Sequence, residues 1–206
     1  MNENINGDFF QYTQIELAAL KKKDKKLAAV IDRYGIIRRQ VNKDVFSALI
    51  GSIISQQISG KAAETVEKKL LALCGEITPI RIHEIDISQI QQCGMSMRKA
   101  RYIKETGEAV YNGLIDISHL GQMSDEEIIN LLTALPGIGV WTAEMLLIFS
   151  LERMNVLSYG DLAIRRGLCK LYGHKELTAK QFTKYKKRYS PYGSIASLYL
   201  WRLSVE

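Results

Sequence analysis

Apolar residues recur along most of the chain at the spacing of an amphipathic helix. The clearest stripe follows i, i+3, i+4, i+7 and i+8, and it consists of Phe46, Leu49, Ile50, Ile53 and Ile54. Runs that alternate apolar and polar residues, as half-buried strands do, are nearly absent. The pattern therefore predicts an all-α protein.

Capping residues and helix breakers indicate where these helices begin and end. Asp44 and Ser59 each precede a helical stripe, and Ser124 with Glu127 matches a capping box. Gly173 and Pro191 mark a helix end and a helix start. One helix is predicted to begin with Phe9, Ile15, Ala18 and Ala19, and another to carry Ala100, Ile103 and Val110. The positions predicted to face inward in two further helices are Ala62, Val66, Leu70 and Leu73, and Ile195, Leu198 and Trp201. A further helix is predicted over about residues 140–151.

The stretch LPGIGVWTAEMLL at residues 135–147 places Gly137 and Gly139 between two predicted helices. Glycines here leave amide groups bare at a helix start, where the helix dipole favours an anion. The residues alone leave three interpretations open: a plain helical corner, a dinucleotide-binding turn, or a hairpin that holds the DNA backbone. The dinucleotide interpretation lacks the strand that should precede the turn, and it has Thr142 where Gly or Ala is usual.

Composition and charge narrow the classes of partner. The 206 residues carry a net charge of +6 and are 47% hydrophobic, which fits one sizeable core and a polyanionic partner. No apolar run approaches the ~20 residues of a membrane span, and the start lacks a signal-peptide pattern. Three scattered cysteines have no metal-binding spacing and suit a reducing compartment. We expect a protein of the bacterial cytoplasm, associated with the nucleoid through DNA, or of the nucleus in a eukaryote.

Several motifs together resemble the helix-hairpin-helix DNA glycosylase superfamily. They are LPGIGVWTAEMLL followed by YGDLAIRRGL, SALIGSIISQQIS at residues 47–59, and SPYGSIASLYLW near the end. Within that superfamily the sequence is most similar to the alkylbase branch of the 3-methyladenine DNA glycosylase II type. The resemblance implies two helical lobes with the active site in the cleft between them, residues 44–157 forming the lobe with the hairpin and residues 1–43 plus 158–206 the other. The mixed α/β N-terminal domain of some relatives is expected to be absent.

The resemblance implies that Asp161 is the catalytic residue, whereas the residues alone indicate only a helix N-cap. An anion at this place would stabilise the positive charge that develops on deoxyribose when an N-glycosidic bond breaks. The resemblance implies monofunctional excision of alkylated purines, because Trp141 occupies the position of the Schiff-base lysine found in bifunctional relatives. A glycosylase for another damaged base and a non-catalytic DNA-binding module remain alternatives.

The resemblance also implies roles for further residues. Trp141, Trp201 and Met145 would line the base pocket, although tryptophans in the core are the alternative. Gln57 would fill the gap left by the flipped base, where the branch also uses leucine. The DNA contacts would come from Gln56, Arg98, Lys99, Gly137, Gly139 and Thr142. The backbone carbonyls of Thr133, Leu135 and Ile138 would hold Na⁺ or K⁺, with no other cofactor and no iron–sulfur cluster. The partner would be double-stranded DNA with damaged bases, bound by a monomer.

Overall fold

The computed structural model of the chain describes residues 8–206. These residues form twelve α-helices and one short 3₁₀ turn, which confirms the predicted all-α class. The helices are α1 (Gln14–Lys23), α2 (Lys25–Tyr34), α3 (Val45–Ser55), α4 (Gly60–Cys74), α5 (Pro79–Glu84), α6 (Ile87–Gln92), α7 (Met97–Tyr111), α8 (Asp125–Thr133), α9 (Val140–Phe149), α10 (Leu162–Tyr172), α11 (Ala179–Tyr189) and α12 (Gly193–Ser204). None of these helices is long and apolar enough to cross a bilayer.

The chain divides into two compact units. The first combines the residues up to 41 with those from 147 onward, and the second comprises residues 42–146. The second segment of the first unit thus begins at Leu147, whereas the sequence predicted that it begins at residue 158. Residues after α9 are bound to the start of α12: Ser194 Oγ accepts a hydrogen bond from the Val156 amide at 2.9 Å, and the Ser194 amide donates to Met154 O at 3.0 Å.

The helix ends follow the sequence signals closely. Asp44 and Ser59 cap α3 and α4 through their side chains, and Ser124 with Glu127 forms the predicted capping box of α8. Gly173 ends α10 in the left-handed conformation, at φ 73°. Local capping chemistry therefore determines most of these boundaries.

The buried face of α4 is rotated from the predicted one, and the face of α1 that carries Ile15 is not the buried one. Ala62 and Leu73 were predicted to face inward, but Ala62 is exposed and Leu73 is 39% exposed; Ile15 is 73% exposed. The buried residues are Leu17 and Leu20 in α1, and Ala63, Val66, Leu70 and Cys74 in α4.

Some predicted helix boundaries were also wrong in detail. Phe9 lies outside α1 and pairs with Gln40 in an isolated antiparallel bridge. The helix predicted to end near residue 151 ends at Phe149. The short helices α5 and α6 were not predicted, since six residues are too few to show a helical period.

Asp24 joins distant parts of the first unit. It caps α2 by accepting a hydrogen bond from the Leu27 amide at 2.9 Å, and its other oxygen accepts hydrogen bonds from Arg188, at 2.6 Å, and from Tyr172. Burial alone would raise the pKa of this carboxyl, but the hydrogen bonds from Tyr172, the Leu27 amide and Arg188 outweigh burial and lower the pKa. Asp24 is 4% exposed and is therefore a buried, charged anchor between α1, α2, α10 and α11.

Candidate active site

Asp161 is the N-cap of α10, and its carboxylate is fixed by that role. Oδ1 accepts hydrogen bonds from the amides of Ala163 and Ile164, both at 2.8 Å. The side chain is 7% exposed. The amides and the helix dipole both favour a negative charge here. The N-cap interpretation of the sequence is therefore confirmed, and Oδ1 alone accounts for it.

The second oxygen of Asp161 is held by a tryptophan from α12. Trp201 Nε1 donates a hydrogen bond to Asp161 Oδ2 at 3.1 Å. The two helices pack closely at Gly167, where an added Cβ would lie 2.3 Å from the backbone oxygen of Leu200. Because Trp201 follows Leu200 in sequence, this close packing brings the indole to the start of α10. Both carboxylate oxygens are thus oriented by donors before any substrate binds.

The hairpin between α8 and α9 depends on its first glycine. Gly137 has φ 79°, and an added Cβ would lie 2.4 Å from the ring of Tyr102. Gly139, by contrast, has open space where a Cβ would be. The first helical bond of α9 runs from the Ala143 amide to Gly139 O at 3.0 Å, so Gly139 lies at the very start of the helix. Gly137 is required by the turn itself, whereas a bare Gly139 suits the close approach of a ligand.

The loop after α3 is attached to this hairpin. Gln56 Nε2 donates to Gly137 O at 2.8 Å. Lys99 Nζ donates to Ile54 O at 2.7 Å and also to Gln56 O. Burial first, and then neighbouring Arg98, lower the pKa of Lys99. The predicted DNA contacts Gln56 and Lys99 therefore make protein contacts that position the loop, since a cation at a helix C-terminus stabilises the last carbonyls.

Gln57 stands at the exposed tip of that loop. It is one of two non-glycine residues in the described chain with positive φ, at 58°. This conformation costs an ordinary side chain about 1 kcal/mol or more. A cavity of about 240 Å³ beside it is lined by Gln57, Ile58, Met95 and Arg98, among others. The strained, exposed glutamine and the nearby exposed Arg98 are thus both directed away from the core.

These motifs match one known family along most of the chain. Residues 50–191 match the model of the HhH-GPD superfamily base excision DNA repair proteins. The chain belongs to the HhH-GPD superfamily. Its all-helical architecture and the relatives that are named DNA-3-methyladenine glycosylase confirm the resemblance seen in the sequence.

Individual relatives of this HhH-GPD protein are similar over nearly the full chain. DNA-3-methyladenine glycosylase 1 of Schizosaccharomyces pombe is 34% identical over 93% of this chain and 86% of its own length. The crystal structure of a DNA-3-methyladenine glycosidase from Bacillus halodurans has a TM-score of 0.85 at 34% identity, covering 96% of this chain and 92% of that one. A S. pombe 3-methyladenine DNA glycosylase (Mag1) in complex with abasic DNA has a TM-score of 0.78 at 32% identity, covering 91% and 95%.

The other predicted site residues of the HhH-GPD fold differ in exposure. Trp141 is 48% exposed at the start of α9, and Met145, one turn later, is partly buried. Thr142 is nearly buried, at 8% exposure. Trp201 is partly buried rather than fully inward. Trp141 and Met145 belong to the second unit and Trp201 to the first.

Two aromatic residues of the site were missed by sequence reasoning. Phe149 packs against Trp201, with ring centroids 5.5 Å apart and planes inclined by 31°. Tyr102 fills the space beside Gly137. Both lie on predicted helices, but their partners are tens of residues away. No local periodicity or motif marks such a contact, so only the folded chain reveals these supporting roles.

Proposed function

We propose that this protein is a monofunctional DNA glycosylase that hydrolyses the N-glycosidic bond of alkylated purines, such as 3-methyladenine and 7-methylguanine, in duplex DNA. The observation that carries the proposal is the Asp161 carboxylate, which is nearly buried and oriented through both of its oxygens. A simple N-cap needs only the two amide bonds. The added bond from Trp201 fixes the carboxylate in one direction, as expected for a group that acts on a bound substrate.

Hydrolysis of the N-glycosidic bond leaves positive charge on the deoxyribose as the base departs. Asp161 stabilises that oxocarbenium-like transition state because its charge is fixed before the reaction and needs no reorganisation. The same carboxylate can orient the attacking water. The target nucleotide must first leave the helical stack to reach it. Alkylated purines have weakened glycosidic bonds, so the proposal requires no strong general acid.

Gln57 is proposed to fill the gap that the flipped nucleotide leaves. Its support is the exposed position at a loop tip and a backbone conformation that the surrounding loop must enforce. Lys99 and Gln56 hold this loop against the hairpin. The aromatic faces of Trp141 and Trp201, together with Met145, are proposed to bind the base. An indole face attracts electron-poor or cationic purines by roughly 0.5–2 kcal/mol.

The hairpin is proposed to hold the DNA backbone. The start of α9, with Gly139 and Thr142, is proposed to offer amide groups to a phosphate, and exposed Arg98 to offer a charge. Carbonyl oxygens of Thr133, Leu135 and Ile138 are the uncharged ligands that Na⁺ or K⁺ accepts. Leu135 O already accepts the Ile138 amide at 3.2 Å, which leaves one lone pair for a cation. The ion is proposed to have a structural role, and the protein to act as a monomer.

No strand cleavage is proposed, because residue 141 is tryptophan. A Schiff base with the sugar requires an amine at the attacking position, and an indole cannot form one. The expected product is therefore a free base and an intact strand with an abasic site. The strand should break only after heating in alkali.

Asp161→Asn tests the proposal. Asparagine is as good an N-cap as aspartate, so its oxygen can keep the bonds from Ala163 and Ile164. Its amide nitrogen then faces the Trp201 Nε1–H, which loses its acceptor, so the free energy of unfolding should fall by about 1–3 kcal/mol. Loss of the charge should lower the single-turnover excision rate by at least about 100-fold. The assay is release of bases from methylated duplex DNA, identified by chromatography, with DNA affinity measured in parallel.

Each outcome of this assay decides between functions. Release of 3-methyladenine or 7-methylguanine by the wild type only would support the proposal. Release of a different damaged base would reassign the substrate. Tight DNA binding without any release by the wild type would indicate a non-catalytic binding module. Near-normal excision by Asp161→Asn would show that the catalytic group is another residue.

A further inference from the structure

Two lysine-rich segments that are distant in sequence converge in the first unit. The segment KKKDKK at residues 21–26 contains the junction of α1 and α2, and KYKKR at residues 184–188 forms the last part of α11. Asp24 accepts a hydrogen bond from Arg188, and Lys23 Nζ donates to Ser190 O just beyond α11. The partners of these two bonds lie 164 and 167 residues apart along the chain.

We name four exposed side chains around this junction, Lys23, Lys26, Lys184 and Lys187, the lysine patch. Lys184 and Lys187 share one face of α11 with Arg188, at i, i+3 and i+4. Lys26 lies 5.6 Å from the centre of the Tyr172 ring, and Arg188 lies 5.7 Å from it. The ring of Tyr172 therefore brings the cations of the α1–α2 junction next to those of α11.

The charge of the lysine patch is not neutralised within the protein. Asp24 pairs with Arg188, so its charge is already matched. Within residues 8–206, none of the four lysines forms an ion pair with a carboxylate. A cluster of exposed cations with no carboxylate partner raises the local concentration of polyanions.

The lysine patch lies away from Asp161. Asp161 begins α10, and Tyr172, beside the patch, ends it. A helix of 11 residues is about 16 Å long, and if α10 lies along the duplex axis this length spans roughly five base pairs of B-DNA at 3.4 Å each. A patch at this distance would contact the duplex outside the target nucleotide rather than the target itself.

We propose that the lysine patch binds the phosphate backbone of duplex DNA at about five base pairs from the target nucleotide. The inference rests on the proposed function in one respect, that the polyanion brought to Asp161 is DNA. The contact is electrostatic and independent of sequence, since lysines without base-reading partners bind phosphates as point charges. It lengthens the binding footprint and leaves the chemical step unchanged.

The test compares two triple variants with the same change in charge. Lys26→Gln, Lys184→Gln and Lys187→Gln remove most of the lysine patch, and Lys23 is kept because it donates to Ser190. The control replaces Lys61, Lys68 and Lys69, three exposed lysines of α4 in the second unit, by glutamine. Affinity for an undamaged duplex of about 25 base pairs is measured across salt concentrations, with each phosphate contact contributing about 0.9 to the slope.

The slope of log affinity against log salt should fall by about 2–3 for the patch variant and by much less for the control. Asymmetric duplexes that carry a single abasic site four base pairs from one end or from the other fix the binding register and supply the second readout. For the wild type, shortening one particular side should lower the slope of log affinity against log salt by the same amount, about 2–3 units. For the patch variant, the slope should not change when that side is shortened. An unchanged slope in the patch variant, or an equal loss in both variants, would overturn the inference.

Two further measurements distinguish DNA binding by the patch from membrane binding and from an effect on the chemical step. Binding to vesicles of 30% phosphatidylserine in phosphatidylcholine should be weak for the wild type and for both variants. The proposal would be overturned if the wild type and the control bound these vesicles strongly, the patch variant did not, and the DNA salt slopes were unchanged; the patch would then be assigned to a membrane surface. Single-turnover base release at saturating protein should be equal in wild type and patch variant. Absence of release by the wild type would contradict the proposed glycosylase activity without affecting the slope comparison.

Discussion

Replacing Trp201 by Phe tests whether the indole positions the Asp161 carboxylate, which we propose to be catalytic. Phenylalanine keeps an aromatic ring against Phe149 but removes the Nε1–H that donates to Asp161 Oδ2 at 3.1 Å. A hydrogen bond to a charged group contributes about 1.5–3 kcal/mol, and 1.4 kcal/mol corresponds to a factor of ten in rate. If the whole free energy of this hydrogen bond serves to hold the carboxylate in its reactive orientation, the excision rate should fall roughly ten- to a hundredfold.

The assay is single-turnover excision of 7-methylguanine from a labelled duplex, read as strand breaks after alkali, at several protein concentrations. We expect the maximal rate to fall while the half-saturating concentration stays nearly constant, since the aromatic face is retained. The free energy of unfolding should fall by about 1–2 kcal/mol, because a nearly buried carboxylate loses one donor. Phe149→Leu is the matched control: it alters the packing of Trp201 but leaves its N–H in place.

A different result would refute the positioning role. If Trp201 acts only as a stacking wall for the base, Trp201→Phe should excise at nearly the wild-type maximal rate. Trp201→Leu should then raise the half-saturating concentration instead. That pair of results would assign Trp201 to substrate binding and leave Asp161 oriented by the α10 amides alone.

Two remaining predictions concern the hairpin and the buried anchor. Gly137→Ala should lower the free energy of unfolding by about 1–3 kcal/mol, because residue 137 has a positive φ and an added Cβ clashes with Tyr102. Gly139→Ala should change the free energy of unfolding by less than about 0.5 kcal/mol but weaken DNA binding. Equal unfolding curves for the two variants would contradict this difference. Asp24→Asn should cost about 2–3 kcal/mol by breaking the pair with partly exposed Arg188. Since folding lowers the pKa of Asp24, its stabilisation is complete above the ordinary value of 3.8 and is lost as the pH falls through the lower folded value. Urea unfolding between pH 2.5 and 7 should therefore show a steeper acid loss in the wild type than in the variant, and parallel curves would refute the assignment.

The helix boundaries and the chemical candidates could be predicted from the sequence because they depend on neighbours in the chain. Ser59, Ser124 and Gly173 satisfy backbone groups within a few residues of themselves, so their signal is local. Asp161 was identifiable for the same reason, as a cap before an amphipathic helix within a motif that resembles a known family. Leu73 was assigned to the wrong face because the sequence fixes the period of a helix more firmly than its rotation against a neighbour.

The sequence by itself determined that the chain is helical, where most helices end, and which aspartate stands at a helix start. Only the tertiary structure decided what surrounds these residues. It supplies the bond from Trp201 to Asp161, the bond from Gln56 to the hairpin, the bond from Lys99 to the end of α3, and the convergence of two lysine-rich segments at Asp24. These contacts join residues 40 or more positions apart. Such pairings depend on how whole helices pack, through features such as the missing side chain of Gly167, and no local pattern in the chain encodes the partner.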